Sequence, residues 1–139
     1  MDVKKLFGLE GRKGFITGGA QGIGKTIARA FVGLRADVAI VDMNIDKATA
    51  TAREIAAKTG RNIIALQCNV TDPNSVNDMI AKYEQQFTTC DFSVNNAGIF
   101  TGDEAIEIDP ATFKSVIDVN LNGVFFTAQA AAKLMRKHG

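Results

Sequence analysis

Short runs of β-strand composition alternate with longer helical patterns along this chain, and no other feature restricts its fold as strongly. We predict strands at residues 14–17, 37–42, 62–68 and 91–95. The segments between them carry apolar residues at steps of three and four, the spacing of a helix that buries one face. Strands joined through helices form βαβ units and are parallel. The alternation therefore predicts an α/β fold built on a parallel sheet.

Apolar stripes and capping residues locate the helices. The stripe of the first helix is expected at five positions: Ile23, Ile27, Ala30, Phe31 and Leu34. The stripe of the third helix is expected at four positions and includes the single tyrosine: Val76, Ile80, Tyr83 and Phe87. Both prolines follow an aspartate, in Asp72-Pro73 and Asp109-Pro110. An aspartate before a proline is typical of an N-cap and the first helical residue, so these pairs mark two helix starts.

A long final helix is predicted from Pro110 to Lys137, with a weak centre at residues 120–123. Its expected apolar face has seven members: Phe113, Ile117, Leu121, Val124, Ala128, Ala131 and Met135. Asn120 is expected on the same face. A buried amide without partners costs about 1–3 kcal/mol. Asn120 therefore has either a hydrogen-bonding function or a satisfied amide at a helix kink.

A glycine-rich turn, TGGAQGIG at residues 17–24, joins the first strand to the first helix. Glycines allow close backbone approach to a ligand, and a helix N-terminus binds anions such as pyrophosphate. Asp42 follows Gly24 by 18 positions, near the spacing of the acid that holds the ribose in dinucleotide folds. The same turn with Lys25 and Thr26 also fits the Walker A pattern of nucleotide triphosphatases. Asp42 as a simple turn residue is the third interpretation.

Composition excludes several classes of partner. The 139 residues, 46% of them hydrophobic, are sufficient for one domain. The net charge of +1, without runs of like charge, argues against nucleic acid or an anionic membrane as a partner. No segment has the ~18 apolar residues of a membrane span, so we expect a cytoplasmic protein. We expect Cys68 and Cys90 to be free thiols, and we predict no metal site, since the lone His138 has no cluster of ligands around it.

Two later motifs decide between the interpretations of the glycine turn. NNAG at residues 95–98 ends the fourth strand, and DVNLNG at residues 118–123 lies in the last helix. Together with the T-G-x-x-x-G-x-G turn, these motifs resemble the short-chain dehydrogenase/reductase family. The resemblance covers nearly the whole chain. It implies that residues 1–139 form an NAD(P)-binding domain with a Rossmann-type, doubly wound parallel sheet of about four strands in the order 3-2-1-4.

The resemblance also implies roles for individual residues. Five positions would cradle the cofactor pyrophosphate: Gly18, Gln21, Gly22, Ile23 and Gly24. Thr17 would tie the turn to the strand, and Asn95 would brace the sheet. Asn69 and Val70 would lie beside the adenine. The nicotinamide-side ribose would be lined by Asn96, Ala97 and Gly98. Asp42 would bind the adenosine ribose, and since neither Gln21 nor Met43 is basic, NAD is expected rather than NADP. Asn120 would hold a water in the proton relay.

The chain departs from the family pattern at several places. Asn69 stands where aspartate is usual, and Arg35 and Thr88 stand where a helix commonly ends in glycine, so strained left-handed turns are expected there. The family's catalytic serine and Tyr-x-x-x-Lys pair are absent from these 139 residues. Without them no group here can exchange the carbonyl proton. The domain therefore resembles one truncated before its catalytic region.

We accordingly expect the cofactor-binding part of an NAD-dependent oxidoreductase that interconverts a secondary alcohol and a ketone. The start at residues 6–11 resembles sugar and polyol dehydrogenases of the family. We also expect a homo-oligomer formed through the helix from Pro110 to Lys137. The alternative is a catalytically inactive nucleotide-binding or self-association module, with apolar surface exposed at Val124, Phe125, Phe126 and Met135. The nucleotide triphosphatase is the third possibility.

Overall fold

The computed structural model describes residues 6–138, so residues 1–5 and 139 of the predicted domain lie outside the described residues. The strands are β1 (Lys13–Thr17), β2 (Asp37–Asp42), β3 (Ile63–Gln67) and β4 (Phe92–Asn95). The helices are α1 (Gly22–Gly33), α2 (Ile45–Thr59), α3 (Pro73–Phe87), α4 (Pro110–Ile117) and α5 (Val124–His138). A π-helical segment, Asp118–Gly123, joins α4 to α5. Each predicted strand end agrees with the structure to within one residue.

The sheet is parallel and has the order β3-β2-β1-β4, which confirms the predicted fold class. The first three strands extend the sheet in one direction, and β4 then pairs on the other side of β1. This reversal is a topological switch point, where ligands bind outside the carboxyl ends of the strands. The fold therefore predicts a binding crevice beside the carboxyl ends of β1 and β4.

Two apolar clusters cover the two faces of the sheet. Side chains of α1 and α2 form one, and side chains of α3 and α5 form the other. Tyr83 is fully buried, as predicted, and packs edge-on against Phe15 with ring centroids 5.6 Å apart. Its hydroxyl donates to the carbonyl of Thr89 at 3.0 Å, and burial raises the pKa of Tyr83 far above its usual range. The only tyrosine is therefore a core residue that keeps its proton.

The centre of the sheet contains a position where only glycine fits. A Cβ added to Gly14 in β1 would lie 2.2 Å from the carbonyl oxygen of Phe92 and 2.4 Å from its ring. The Phe92 ring is itself held edge-on to Phe31 of α1, with centroids 5.0 Å apart. Neither the neighbouring strand nor the ring can move away without disturbing α1. Gly14 therefore sets the distance between β1 and β4.

The buried face of α1 differs from the predicted stripe. The fully buried side of this helix is formed by Gly24, Ala28 and Val32, whereas Ile23 is 73% exposed. Ala30 and Leu34 are also exposed, and only Ile27 and Phe31 of the expected stripe pack against the core. The predicted stripe was wrong at these positions because helical periodicity alone treats every apolar side chain as core, although the family resemblance also placed Ile23 at the cofactor. Ile23 instead faces the crevice at the start of the helix.

The last helix is interrupted at its predicted weak centre, and its buried face is displaced by one residue. The expected members Phe113 and Leu121 are 58% and 61% exposed. The buried positions beyond the interruption are Gly123, Thr127, Ala130, Ala131 and Leu134. The displacement is already present before the buried part of the interruption, because Val116 and Val119 are half-buried whereas Phe113 is exposed. Of the expected face, Val124, Ala128 and Met135 are half-buried.

Both predicted N-caps are confirmed. The Asp72 carboxylate accepts from the backbone N–H of Asn74, and Asp109 accepts from Ala111 and Thr112. The two cysteines are free and buried. The expected left-handed residues are also present, with φ of 79° at Arg35 and 64° at Thr88. Local sequence chemistry therefore predicts the helix boundaries well.

Replacing Thr88 by glycine is expected to stabilise the protein. Thr88 has φ 64° and ψ −56°, and the N–H of Thr89 donates to the carbonyl of Phe87 at 2.7 Å across it. This is a γ-turn of the strained, positive-φ type, which is unfavourable for a β-branched residue. Relief of the strain exceeds the entropy cost of glycine, so T88G should raise the free energy of unfolding by about 1 kcal/mol.

Thermal and urea unfolding would measure the change. Thr49→Gly is the matched control, because Thr49 lies within α2, where glycine lowers stability by about 0.5–1 kcal/mol. Equal losses in T88G and T49G would contradict the assignment of strain to Thr88.

Candidate functional site

A cleft of about 450 Å³ lies at the carboxyl ends of the strands, within the size range of small-molecule sites. Its position agrees with the crevice predicted at the topological switch point, beside the carboxyl ends of β1 and β4. Ten of the predicted site residues line it: Gly18, Gln21, Ile23, Asp42, Met43, Asn69, Val70, Asn96, Ala97 and Gly98. Four residues that were not predicted complete the lining: Val41, Cys68, Ile99 and Val119.

The glycine turn fits closely against the segment after β4. Gly18 has φ 62°, and a Cβ there would lie 2.9 Å from the Cα of Ala97. A Cβ on Gly24 would lie 2.3 Å from the carbonyl oxygen of Gly18 and 2.6 Å from Nδ2 of Asn96. Gln21 caps α1 without a side-chain hydrogen bond. The first N–H groups of α1 therefore lack a side-chain partner at the N-cap, as an anion site requires.

Thr17 and Asn96 join the two loops. The N–H groups of Asn96 and Ala97 each donate to the Thr17 hydroxyl at 3.1 Å. The Asn96 amide donates in return to the carbonyls of Thr17 and Gly18, at 3.1 and 3.2 Å. Thr17 was expected to tie the turn to the strand, and its hydroxyl contacts the Val94 carbonyl of β4 at 3.5 Å as well as the segment beyond β4. Thr17, Gly22 and Gly24 are predicted site residues that do not line the cleft.

Asp42 ends β2 with its carboxylate held by the backbone. Oδ2 accepts from the N–H of Ala20 at 3.2 Å, and Oδ1 accepts from the N–H of Asn44 at 3.0 Å. A carboxylate has about four acceptor positions, so two bonds leave capacity for ligand hydroxyl groups. Asn44, rather than Asp42, caps α2 by accepting from the N–H of Lys47. Asp42 is therefore an oriented acceptor at the cleft.

The rim beside Asp42 is formed by residues from two strand ends. Met43 is 68% exposed. The side-chain oxygen of Asn69 accepts from both the N–H and the hydroxyl of Thr71, at 3.1 and 2.9 Å. This asparagine therefore stabilises its own turn, and its Nδ2 group is the part that can donate to a ligand. Val70 is buried next to it and supplies an apolar surface.

Asn120 differs from the expectation of a buried amide. It is exposed, and it holds the main chain of Ile99 through two hydrogen bonds. Its Oδ1 accepts from the N–H of Ile99 at 2.8 Å, and its Nδ2 donates to the Ile99 carbonyl at 2.9 Å. The satisfied-amide interpretation at a helix interruption therefore matches the geometry. Through Ile99, Asn120 fixes the cleft wall that continues from Gly98.

Comparison with known proteins gives a consistent picture. Residues 13–139 match the model of a family described as short chain dehydrogenase. The chain belongs to the short-chain dehydrogenase family. It is 39% identical over 140 residues to a sorbose reductase of Candida albicans, covering 99% of this chain and 49% of that protein. It is 36% identical over 127 residues to a sorbitol dehydrogenase of Cereibacter sphaeroides, covering 91% and 48%.

A solved structure of a short-chain dehydrogenase/reductase from Mycobacterium marinum superposes with a TM-score of 0.93 at 36% identity. The match covers 99% of this chain and 55% of that one. The chain thus spans about half the length of the short-chain dehydrogenases that it matches. Within residues 6–138, no helix is long and apolar enough to cross a membrane, and no three potential ligands cluster as a metal site.

Membership of this family argues against the triphosphatase interpretation, and so does the position of Lys25. Its ammonium donates to Glu54 of α2 at 2.7 Å rather than to the glycine turn, and the Thr26 hydroxyl donates to the Gly22 carbonyl. Glu54 also binds Arg29 and Lys58, and its hydrogen bonds with Lys25, Arg29 and Lys58 lower its pKa to about 2. Lys25 therefore joins α1 to α2, and the Thr26 hydroxyl is bonded within α1.

Several residues of the cleft were not predicted, for different reasons. Val41 and Cys68 fall in predicted strands and were not considered as cleft residues, although their positions at strand ends beside a switch point indicated it. Val119 lies in the π-helical segment, whose geometry the periodicity does not predict. Asn95, expected to brace the sheet, has a buried Oδ1 that no group in residues 6–138 binds. Lys47 reaches Gln21 from α2 and was not considered.

Proposed function

We propose that this chain is the NAD-binding part of an oxidoreductase that interconverts a secondary alcohol and a ketone by hydride transfer. The observation that carries the proposal is the Asp42 carboxylate, oriented by two backbone N–H groups at one end of the cleft. At the carboxyl end of the neighbouring strand β1, the glycine turn leaves the first N–H groups of α1 without a side-chain cap. An acceptor for ribose hydroxyls and a donor set for pyrophosphate are thereby combined.

The remaining cleft residues fit the same ligand. Asn69 and Val70 would contact the adenine, one with an amide donor and the other with an apolar surface. Asn96, Ala97 and Gly98 would line the ribose on the nicotinamide side. A bound nicotinamide supplies the hydride chemistry, while the protein holds and orients the reacting groups. Asn120 would fix the wall at that end by holding the Ile99 peptide.

Proton transfer requires groups beyond those described. Tyr83 is fully buried, and its hydroxyl already donates to the Thr89 carbonyl. It cannot serve as the acid that exchanges a proton with a carbonyl at the cleft. We propose that the serine, tyrosine and lysine of the family act from sequence corresponding to the other half of the relatives' length. The domain of residues 1–139 is then the cofactor-binding half of the enzyme.

A sugar or polyol is the proposed substrate class. Two relatives carry names that specify sorbose and sorbitol. The start at residues 6–11 also resembles sugar and polyol dehydrogenases. We further propose NAD over NADP, because Asp42 would repel a 2′-phosphate, and neither Gln21 nor Met43 offsets that charge.

Titration of this chain with NADH and NADPH tests the proposal. NADH is expected to bind at least 10-fold tighter than NADPH, because like-charge repulsion opposes the 2′-phosphate at Asp42. Asp42→Ala should lower NADH affinity by about 10–100-fold, since charge-assisted hydrogen bonds contribute about 1.5–3 kcal/mol each. Nicotinamide fluorescence would report both constants.

Asp46→Ala is the matched control. Asp46 is an exposed acid in the first turn of α2, outside the cleft lining, so its removal changes the same charge without removing the ribose acceptor. NADPH binding as tight as NADH to the parent chain would overturn the role of Asp42.

The second candidate is a module that binds the dinucleotide or self-associates without catalysis. The exposed apolar residues of the last helices favour it: Phe113, Leu121 and Phe125. Phe125 was expected on this surface, whereas Phe126 and Met135 pack largely against the core. The homo-oligomer remains a prediction. NADH binding without any NAD-linked polyol oxidation by the full-length natural protein would favour the binding module over the enzyme.

A further inference from the structure

A cation stands at the same end of the cleft as Asp42. The Lys47 ammonium donates to Oε1 of Gln21 at 3.4 Å. Gln21 lines the cleft and caps the helix whose N-terminus would receive the pyrophosphate. Lys47 lies in the first turn of α2, and its backbone N–H is bound by Asn44, the residue that also contacts Asp42. The carboxylate of Asp42 at the end of β2 and the ammonium of Lys47 in the first turn of α2 thus flank the same short connection.

The charge of Lys47 is not neutralised by a neighbouring acid. Lys25, Arg29 and Lys58, the cations between α1 and α2, all bind Glu54. Across residues 6–138, Lys47 makes no ion pair within 4.0 Å, and its recorded side-chain partner is the neutral Gln21 amide. An exposed ammonium held by an amide can turn to a phosphate by breaking one weak, long hydrogen bond.

We infer that Lys47 is a cofactor-specificity residue, which attracts the 2′-phosphate of NADP and so limits the preference for NAD that Asp42 creates. This inference rests on the proposed dinucleotide site. In NAD binding the ribose hydroxyls engage Asp42, and Lys47 stays on Gln21. In NADP binding the added phosphate faces both charges, and its repulsion by Asp42 is offset in part by Lys47. The preference for NAD over NADP is then the difference between the repulsion of the 2′-phosphate by Asp42 and its attraction by Lys47.

The test compares Lys47→Gln with the parent chain. NADPH affinity should fall by about 3–10-fold, as expected for loss of one exposed charge pair, while NADH affinity changes less than 2-fold. Titration with adenosine 2′,5′-bisphosphate and with 5′-AMP would make the same comparison of affinities for the adenosine end of the cofactor alone. The salt dependence of NADPH binding should also weaken in K47Q, because the charge contact is screened by salt. Lys47→Arg should retain the parent's ratio of affinities.

Lys58→Gln is the matched control for net charge. Lys58 lies on the same helix, 11 residues or about 16 Å further along, beyond the screening length at physiological salt. Lys58→Gln should leave the affinities for NADH and NADPH unchanged. Equal losses of NADH and NADPH affinity in K47Q, or no loss of either, would overturn the role of Lys47. Failure of every variant and the parent chain to bind either dinucleotide would overturn the proposed function itself.

Discussion

Gly24→Ala should lower dinucleotide affinity by about 100-fold while the protein still folds. The added methyl would meet the Gly18 carbonyl at 2.3 Å and the Asn96 amide at 2.6 Å. Both partners are fixed, because Asn96 donates to the Gly18 carbonyl and its N–H group donates to Thr17. The glycine turn must therefore move away from α1, which separates the N–H groups that would hold the pyrophosphate. Displacement of this kind costs about 1–3 kcal/mol.

Gly33→Ala provides the matched control on the same helix. A Cβ at Gly33 meets nothing within 4 Å. Alanine near the end of a helix should leave binding unchanged and raise stability by up to about 0.5–1 kcal/mol. Fluorescence titration with NADH and thermal unfolding of both variants would separate affinity from stability. Parent-like NADH affinity in G24A would show that the turn relaxes without loss of the anion site.

Gly14→Ala should have the largest effect on stability. The methyl would lie 2.2 Å from the backbone oxygen of Phe92, so either the β1–β4 pairing or the Phe92 ring must shift. Because Phe31 holds that ring from α1, relief cannot stay local. We expect a loss of about 3 kcal/mol or more in the free energy of unfolding, at the upper end for overpacked sites.

Urea unfolding followed by circular dichroism would measure this loss. Gly102→Ala is the control, because a Cβ at Gly102 also meets nothing within 4 Å, and it should change stability by less than about 0.5 kcal/mol. Since Gly14 lies outside the cleft lining, any G14A protein that remains folded should still bind NADH. Unfolding midpoints that coincide for G14A and G102A would mean that the sheet adjusts to the methyl group.

The sequence predicts the elements of this fold better than it predicts their orientation. Strand positions and the N-caps at Asp72 and Asp109 depend on neighbouring residues, and each of them is confirmed. The buried side of a helix depends on what faces it. Ile23 is apolar because of the cleft, and periodicity alone cannot distinguish a cleft from a core. The stripe of α1 was therefore predicted with the wrong phase.

In the candidate site, too, the positions of residues were predicted better than the contacts they make. Motif residues at strand ends were predicted to lie together, because parallel strands bring their carboxyl ends to one edge, and the cleft lining contains most of them. The partners of those residues were not predictable. Thr17 binds a segment almost 80 positions away, and Asn120 binds Ile99 across 21 positions. Such pairings arise from tertiary packing, which no local pattern in the chain records.

The π-helical segment between α4 and α5 also limits how this protein can vary in length. The winding of this segment sets the rotation at which Thr127, Ala130 and Leu134 enter the core. Removing one residue between Asp118 and Gly123 would restore regular helical winding and leave the rotation of α5 unchanged, because a π-helical turn contains one residue more than an α-helical turn. Exchanges of side chains on this segment's exposed surface leave that rotation intact. An insertion, or a second deletion, would instead turn the whole of α5 by about 100°.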